Sequence, residues 1–381
     1  MAAAIQSKCA WSITMNKGKH AESFKLTAAG SSGLYKAGVL VAICIITLAL
    51  GHVRARTAMQ DPTTGQWVIN PTGHPDTVQL TLQSTLGGSG SFSSSFDIPL
   101  AELRGLTGAA MAADGAVTRF TLVREAGTIS FEGWFKNQAG SGHFSFAPNP
   151  GFVSDMKTLG YDSLSSKNLF FLAAHDVNTR FISELRALGY EHPAVDRLIA
   201  MRIHGVTIEF ITDLKSAGYD QVSIDKLIAM RIHSVSIEFI LELKGLGYVE
   251  VSIDNLIAMK IHNVTSGFIR QVAEFGYGQP PVDKLIAMRI HNVEPDFIKG
   301  LAEYEKASVP IDNLIAMKIH GVSLDFLQSL RSLGYDTVPA DQLVSMRIHA
   351  VTPEYIEKMK GRGMRDLSVD QLIRLRIQGI E

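Results

Sequence analysis

Asp196-Arg-Leu-Ile-Ala-Met-Arg-Ile-His204-Gly-Val-Thr-Ile-Glu-Phe-Ile-Thr-Asp-Leu-Lys-Ser-Ala-Gly-Tyr219 is followed by Asp225-Lys-Leu-Ile-Ala-Met-Arg-Ile-His233-Ser-Val-Ser-Ile-Glu-Phe-Ile-Leu-Glu-Leu-Lys-Gly-Leu-Gly-Tyr248, the same phrase displaced by 29 residues. The displacement persists: His175, His204, His233, His262, His291, His320 and His349 keep the 29-residue spacing without insertion, and Gln378 continues it. A fixed period of this length marks a repeat architecture, in which one unit cannot bury its own apolar face and the stack is the folding unit.

Each unit reads as two helices. The first runs from about Ile224 to His233, with Ser223 as N-cap and Asp225 in the positive first turn. It stops where Gly205, Ser234, Asn263, Asn292 and Gly321 suit a left-handed turn. The second begins behind Thr207, Ser236, Thr265, Ser323 or Thr352 and ends at Gly189, Gly218, Gly247, Gly276 and Gly334, each followed by tyrosine. Phe210, Ile211 and Leu214 form an apolar helical stripe, and the Met201-to-Met346 and Phe152-to-Phe326 columns read as core. The column Ala200, Ala229, Ala258, Ala287 and Ala316 reads as small side chains where neighbouring helices approach closely.

Working outward, Phe152-Val-Ser-Asp-Met-Lys-Thr-Leu-Gly160-Tyr161 matches Phe181 to Tyr190, so the array opens on a second-type helix. It closes on a first-type helix, giving an α-solenoid of eight 29-residue repeats over 149–381. Glu305-Lys306 replace Gly-Tyr in one unit, where a local irregularity is expected. Residues 60–148 change character. Alternating runs at Gln66–Asn70, Thr77–Gln83, Ser91–Ile98, Ala116–Val123, Thr128–Glu132 and Gly142–Phe146 predict a small antiparallel β domain of about six strands. Gly87-Gly88-Ser89-Gly90 and Ala139-Gly140-Ser141-Gly142 read as its turns. Only Pro148-Asn149-Pro150 separates the last strand from the first helix, which predicts that the two parts pack together.

At the other end, residues 1–33 form a basic leader and 34–53 hold the apolar run Ala37 to Leu50. About 20 residues from Leu34 to Val53 suffice for a transmembrane signal anchor; Val53-Arg54-Ala55 would equally suit cleavage of a signal peptide. The lysines before the run place the leader in the cytoplasm and the rest outside, as a single-pass or exported protein. The two cysteines, Cys9 and Cys44, lie in or before the run, so stability of the later part cannot rest on disulfides. The first 56 residues carry +6 of a formal net charge of −1, which leaves a mildly acidic body and argues against a nucleic-acid partner.

Two periodic columns invite chemistry. Arg202, Arg231, Lys260, Arg289, Lys318 and Arg347 could form a basic stripe for an anionic ligand, or could be balanced by the acidic column Asp196 to Asp370 in ion pairs between repeats. The seven histidines could share metal, but zinc wants four ligands and no cysteine completes a set. They could also sense pH, but the plainer reading is structural: each histidine closes a helix C-terminus and complements its dipole. No H-E-x-x-H, G-x-S-x-G or Walker-type loop occurs, so neither metal, cofactor nor catalytic residue is assigned. In the β domain, Arg124, Glu132, Trp134 and His143 could line a small pocket, or be ordinary sheet surface.

The repeat phrase Asp-x-Leu-Ile-Ala-Met-(Arg/Lys)-Ile-His-Gly-Val, together with Arg124-Glu-Ala-Gly-Thr-Ile-Ser-Phe-Glu-Gly133, resembles the extracytoplasmic regions attached to some bacterial membrane zinc metallopeptidases of the beta-lactam-sensor type. The resemblance covers about Gln66 onward, without the multi-span peptidase domain or its zinc motif. It implies an envelope sensor or interaction module rather than a protease. The expectation is therefore an α+β multidomain chain: an N-terminal membrane helix, an antiparallel β domain, and a non-enzymatic solenoid that engages a protein or peptide in the cell envelope. The alternative is an enzyme or small-ligand binder with its site in the β domain.

Overall fold

The computed structural model describes residues 64–86, 90–304 and 308–380. The leader and the apolar run expected to form the membrane helix lie outside the described residues. Among the described residues no helix is long and apolar enough to cross a membrane. The chain is α+β: among the described residues an antiparallel sheet precedes sixteen helices, in two compact units that meet in sequence at Ile203 and His204.

The first unit holds one curled seven-stranded sheet of order β3-β2-β1-β7-β6-β5-β4. Its strands are β1 (Thr64–Pro71), β2 (Thr77–Leu86), β3 (Gly90–Pro99), β4 (Leu103–Arg104), β5 (Val117–Arg124), β6 (Gly127–Lys136) and β7 (Ala139–Pro148). The six runs legible in the sequence are all present; β4, two residues long, is too short to carry a pattern. A short helix α1 (Gly108–Ala112) follows it. One expected turn is corrected. Ala139 to Gly142 belong to β7, and the chain reverses at Asn137 and Gln138, whose φ values of 52° and 64° make a two-residue hairpin loop. Those glycines serve close packing instead. A Cβ on Gly140 would collide with the buried Phe135 ring, and one on Gly142 with the Glu132 carbonyl, to which the indole N–H of buried Trp67 donates at 3.2 Å.

Period-two alternation sends Trp67, Ile69, Leu80, Leu82, Leu122 and Ile129 inward, all fully buried. Trp67 meets Phe120 edge-on at 5.1 Å, and Phe120 stacks on Phe131 at 4.6 Å. Helices α2 (Pro150–Thr158), α3 (Ser166–Ala174), α4 (Thr179–Ala187) and α5 (Val195–Ile203) complete the unit. α3 lies against the sheet, where Phe170 stacks on Phe144 at 5.4 Å and tilts against Phe92 at 5.3 Å. The packing of sheet on first helices predicted from the short link is thus present.

The second unit alternates second-type helices α6 (Ile208–Ser216), α8 (Ile237–Gly245), α10 (Ser266–Val272), α12 (Pro295–Tyr304), α14 (Leu324–Ser332) and α16 (Pro353–Gly361) with first-type helices α7 (Ile224–Ile232), α9 (Ile253–Ile261), α11 (Val282–Ile290), α13 (Ile311–Ile319), α15 (Ala340–Ile348) and α17 (Val369–Ile377). Helices of each type stack on the next of their kind, α7 on α9 and α6 on α8, and so to α17 and α16. The caps follow the sequence: the hydroxyls of Ser223, Ser236 and Thr265 accept the amides of Lys226, Phe239 and Phe268. Gly218 takes φ 88°, a conformation that costs most residues a Cβ clash. Met230, Met259, Met288, Met317 and Met346 are fully buried. In the alanine column Ala200 is buried, whereas Ala229, Ala258, Ala287 and Ala316 are half-buried. The irregularity foreseen at Glu305-Lys306 falls outside the described residues. One is seen a repeat earlier, where α10 gives way to a π turn at Ala273–Tyr277.

Candidate functional site

Each member of the basic column is half-buried over an aromatic ring of the preceding helix. In the second unit the distances to the ring centroid are 5.1 Å for Arg231 over Phe210, 4.9 Å for Lys260 over Phe239 and 5.1 Å for Arg289 over Phe268. Lys318 over Phe297 and Arg347 over Phe326 continue at 4.8 and 5.2 Å; in the first unit Arg202 covers Phe181 at 5.4 Å. The side chain does a second thing. Nε of Arg202, Arg289 and Arg347 donates to the carbonyls of His175, His262 and His320, at 3.3, 3.4 and 3.3 Å. A cation over a π face that also meets a helix's last carbonyls complements ring quadrupole and dipole together. The acidic column pairs elsewhere: Asp254 with Lys226 and Asp312 with Lys284, lysines of a different column.

The histidines end helices. The amides of His233, His262, His291 and His320 donate to Ala229, Ala258, Ala287 and Ala316 at 3.0 Å, and the next residue turns left-handed. His349 caps α15 in the same way through Ser345. His204 follows α5, and burial lowers its pKa. His175 differs because it closes α3 beneath the sheet: its Nε2 lies 3.3 Å from Ser94 Oγ, and its ring is 5.3 Å from that of Phe96. Burial, with Arg202 nearby, lowers its pKa from the ordinary 6.5 to about 4. Among the described residues no group of three His, Cys, Asp or Glu side chains is placed to hold a metal.

One feature went unread in the sequence and another was read only in part. The first is a row of isoleucines immediately before the histidines. Ile232, Ile261, Ile290, Ile319, Ile348 and Ile377 are between 47 % and 62 % exposed. Helical geometry explains them, since Ile232 stands seven residues, almost two full turns, after exposed Asp225. The Asp–Ile interval alone would have revealed it. Between the two rows lie the half-buried alanines, so α7, α9, α11 and α13 each carry an exposed acid, a half-buried alanine and an exposed isoleucine in line.

The second is the outward face of the sheet. Cross-strand partners run Arg119, Glu132, His143, Gln66, Gln83, Ser93 without a break through six strands. All six side chains are exposed. On the same face, Arg104, Thr121, Ser130, Ser145 and Thr64 form a row to one side, and Val117 and Trp134 face each other on the other side. These residues line a single concavity of ≈ 1390 Å³. Arg119 Nε donates to Glu132 Oε2 at 2.8 Å; this hydrogen bond, then the charge, lowers the Glu132 pKa and keeps it ionised. Glu132, Trp134 and His143 are thus brought together, whereas Arg124 is not: it pairs with Glu102 and lies 3.5 Å from Asp176. The linking signal was the strand register, which three separate sequence runs do not state.

No protein-family model matches this chain, and no curated protein matches it.

Proposed function

We propose that this protein is a non-enzymatic binding module of the cell envelope whose helical repeats engage an extended segment of a partner polypeptide. The isoleucine row carries this reading. Six large apolar side chains, each about half exposed and one per repeat, are more than scattered surface residues. Their register supports the occupant. Stacked helices lie about 8–10 Å apart. Every third residue of a polyproline-II chain advances about 9 Å, so one apolar side chain can meet each isoleucine in turn. The basic leader and the run at 34–53 support a tether that leaves the repeats outside the cytoplasm.

A phage-displayed library of 16-residue peptides, selected on the full chain, tests this. Enriched peptides are expected to carry apolar residues at a period of three. The triple variant Ile261→Glu, Ile290→Glu, Ile319→Glu should bind them at least tenfold more weakly with unchanged helical circular dichroism. Equal binding by the triple variant would show that this face is not the site.

A further inference from the structure

We propose that the outward face of the β domain is a saccharide-binding site, separate from the polypeptide-binding face of the repeats. Three observations combine. The first is the inventory of the central row: a guanidinium, a carboxylate, an imidazole, two carboxamides and a hydroxyl. Arg119, Glu132, Gln66 and Gln83 are planar groups with paired donors or acceptors, the geometry that matches neighbouring hydroxyls on a sugar ring. The flanking row adds hydroxyls of Thr121, Ser130 and Ser145.

The second is Trp134. It stands at the edge of this row with 55 % of its surface exposed, although a tryptophan on a sheet is normally buried at least on its faces. An open indole beside polar planar groups offers an apolar face to the C–H side of a pyranose while its neighbours bind the hydroxyls. Val117, opposite it in the register and 65 % exposed, extends the apolar patch.

The third is shape. Strands lie about 4.8 Å apart, so the unbroken row through six of them runs roughly 24 Å. Its length suits a chain of several sugar units more than one monosaccharide, and the ≈ 1390 Å³ concavity can house it. Charge narrows the class. Arg119 and Glu132 neutralise each other, leaving Arg104 as a cation on the flanking row. A neutral or weakly acidic oligosaccharide fits this balance. Among the described residues Glu132 is the single carboxylate lining the concavity, and it is held ionised. Glycoside hydrolysis commonly needs two carboxyl groups, one of them protonated, so the site binds the chain without cleaving it.

The test is a printed glycan array probed with the full chain, followed by calorimetric titration of the tightest soluble oligosaccharide it identifies. Binding to at least one oligosaccharide is expected, with Trp134→Ala and the double change Gln66→Ala, Gln83→Ala each weakening it at least tenfold. Urea unfolding midpoints of both variants should match the parent, since all three side chains are exposed. The triple isoleucine variant should bind the sugar normally, which separates this site from the repeat face. Absence of any glycan signal would overturn the proposal. So would undiminished sugar binding by both variants, or loss of the phage-selected peptides on Trp134→Ala.

Discussion

The hydroxyl of Tyr219 donates a 2.8 Å hydrogen bond to the carbonyl oxygen of Val251, 32 residues further along the chain. The same bond ties Tyr248 to Pro280, Tyr277 to Val309 and Tyr335 to Leu367, at 2.7, 2.8 and 2.7 Å. In the first unit it ties Tyr161 to Pro193 at 2.8 Å. At these five positions the tyrosine after a helix-ending glycine is therefore a strap to the entrance of the next repeat. Where Lys306 takes the tyrosine's place in the sequence, Tyr304 supplies the strap, reaching the Tyr335 carbonyl at 3.0 Å.

Tyr219→Phe removes one strap and nothing else of volume, leaving the Val251 carbonyl unpaired beside a buried side chain. The expected cost is about 1 kcal/mol, read as a lower urea midpoint with an unchanged slope.

A second cationic column shows what a missing member should do. Lys244 Nζ donates to Ala217 O at 2.6 Å, and Lys360 Nζ to Leu333 O at 2.6 Å, each closing the preceding second-type helix. Alanine occupies this column at Ala273 and Ala302. Ala273 is exposed, 27 residues after Leu246, whose carbonyl is the matching acceptor. Ala273→Lys should stabilise the repeats by about 0.3–1 kcal/mol, with the gain shrinking in high salt. Denaturation of the variant at low and high ionic strength checks both parts.

His175 makes the first unit acid-sensitive. Its folded pKa, about 4, lies below the ordinary 6.5, so between these values the unfolded chain binds a proton that the folded chain does not. The contribution is complete above about pH 6.5 and is lost as pH falls toward 4. Stability at pH 5 should be about 1–2 kcal/mol lower than at pH 7.5 on this account. His175→Gln can still hydrogen-bond Ser94 but does not titrate, so its difference between the two pH values should be correspondingly smaller. Urea unfolding of both proteins at both pH values measures it.

The legible part of this chain was whatever depends on neighbours a few residues away. Ser223 as a cap, Gly218 as a left-handed stop and Met230 as core all follow from one helix's own backbone and periodicity. The β strands were readable for the same reason, by alternation. Misreadings arose where glycine had two uses: at Gly140 and Gly142 it allows close strand packing, not a turn, because the turn's positive φ falls on Asn137 and Gln138.

By itself the sequence determined that a 29-residue unit exists, that it holds two helices, and where each starts and stops. Those are local and periodic facts, set by capping, backbone preference and side-chain spacing. Only the tertiary structure decided the partners of each column. Arg231 meets Phe210 rather than an aspartate, and Lys226 meets Asp254. A one-dimensional period makes every column recur at the same interval, so it cannot say which two columns face each other. The same holds in the sheet, where register brings Arg119, Glu132, His143 and Gln66 side by side from four strands. Cross-strand adjacency depends on where each hairpin turns, and only a folded sheet states that.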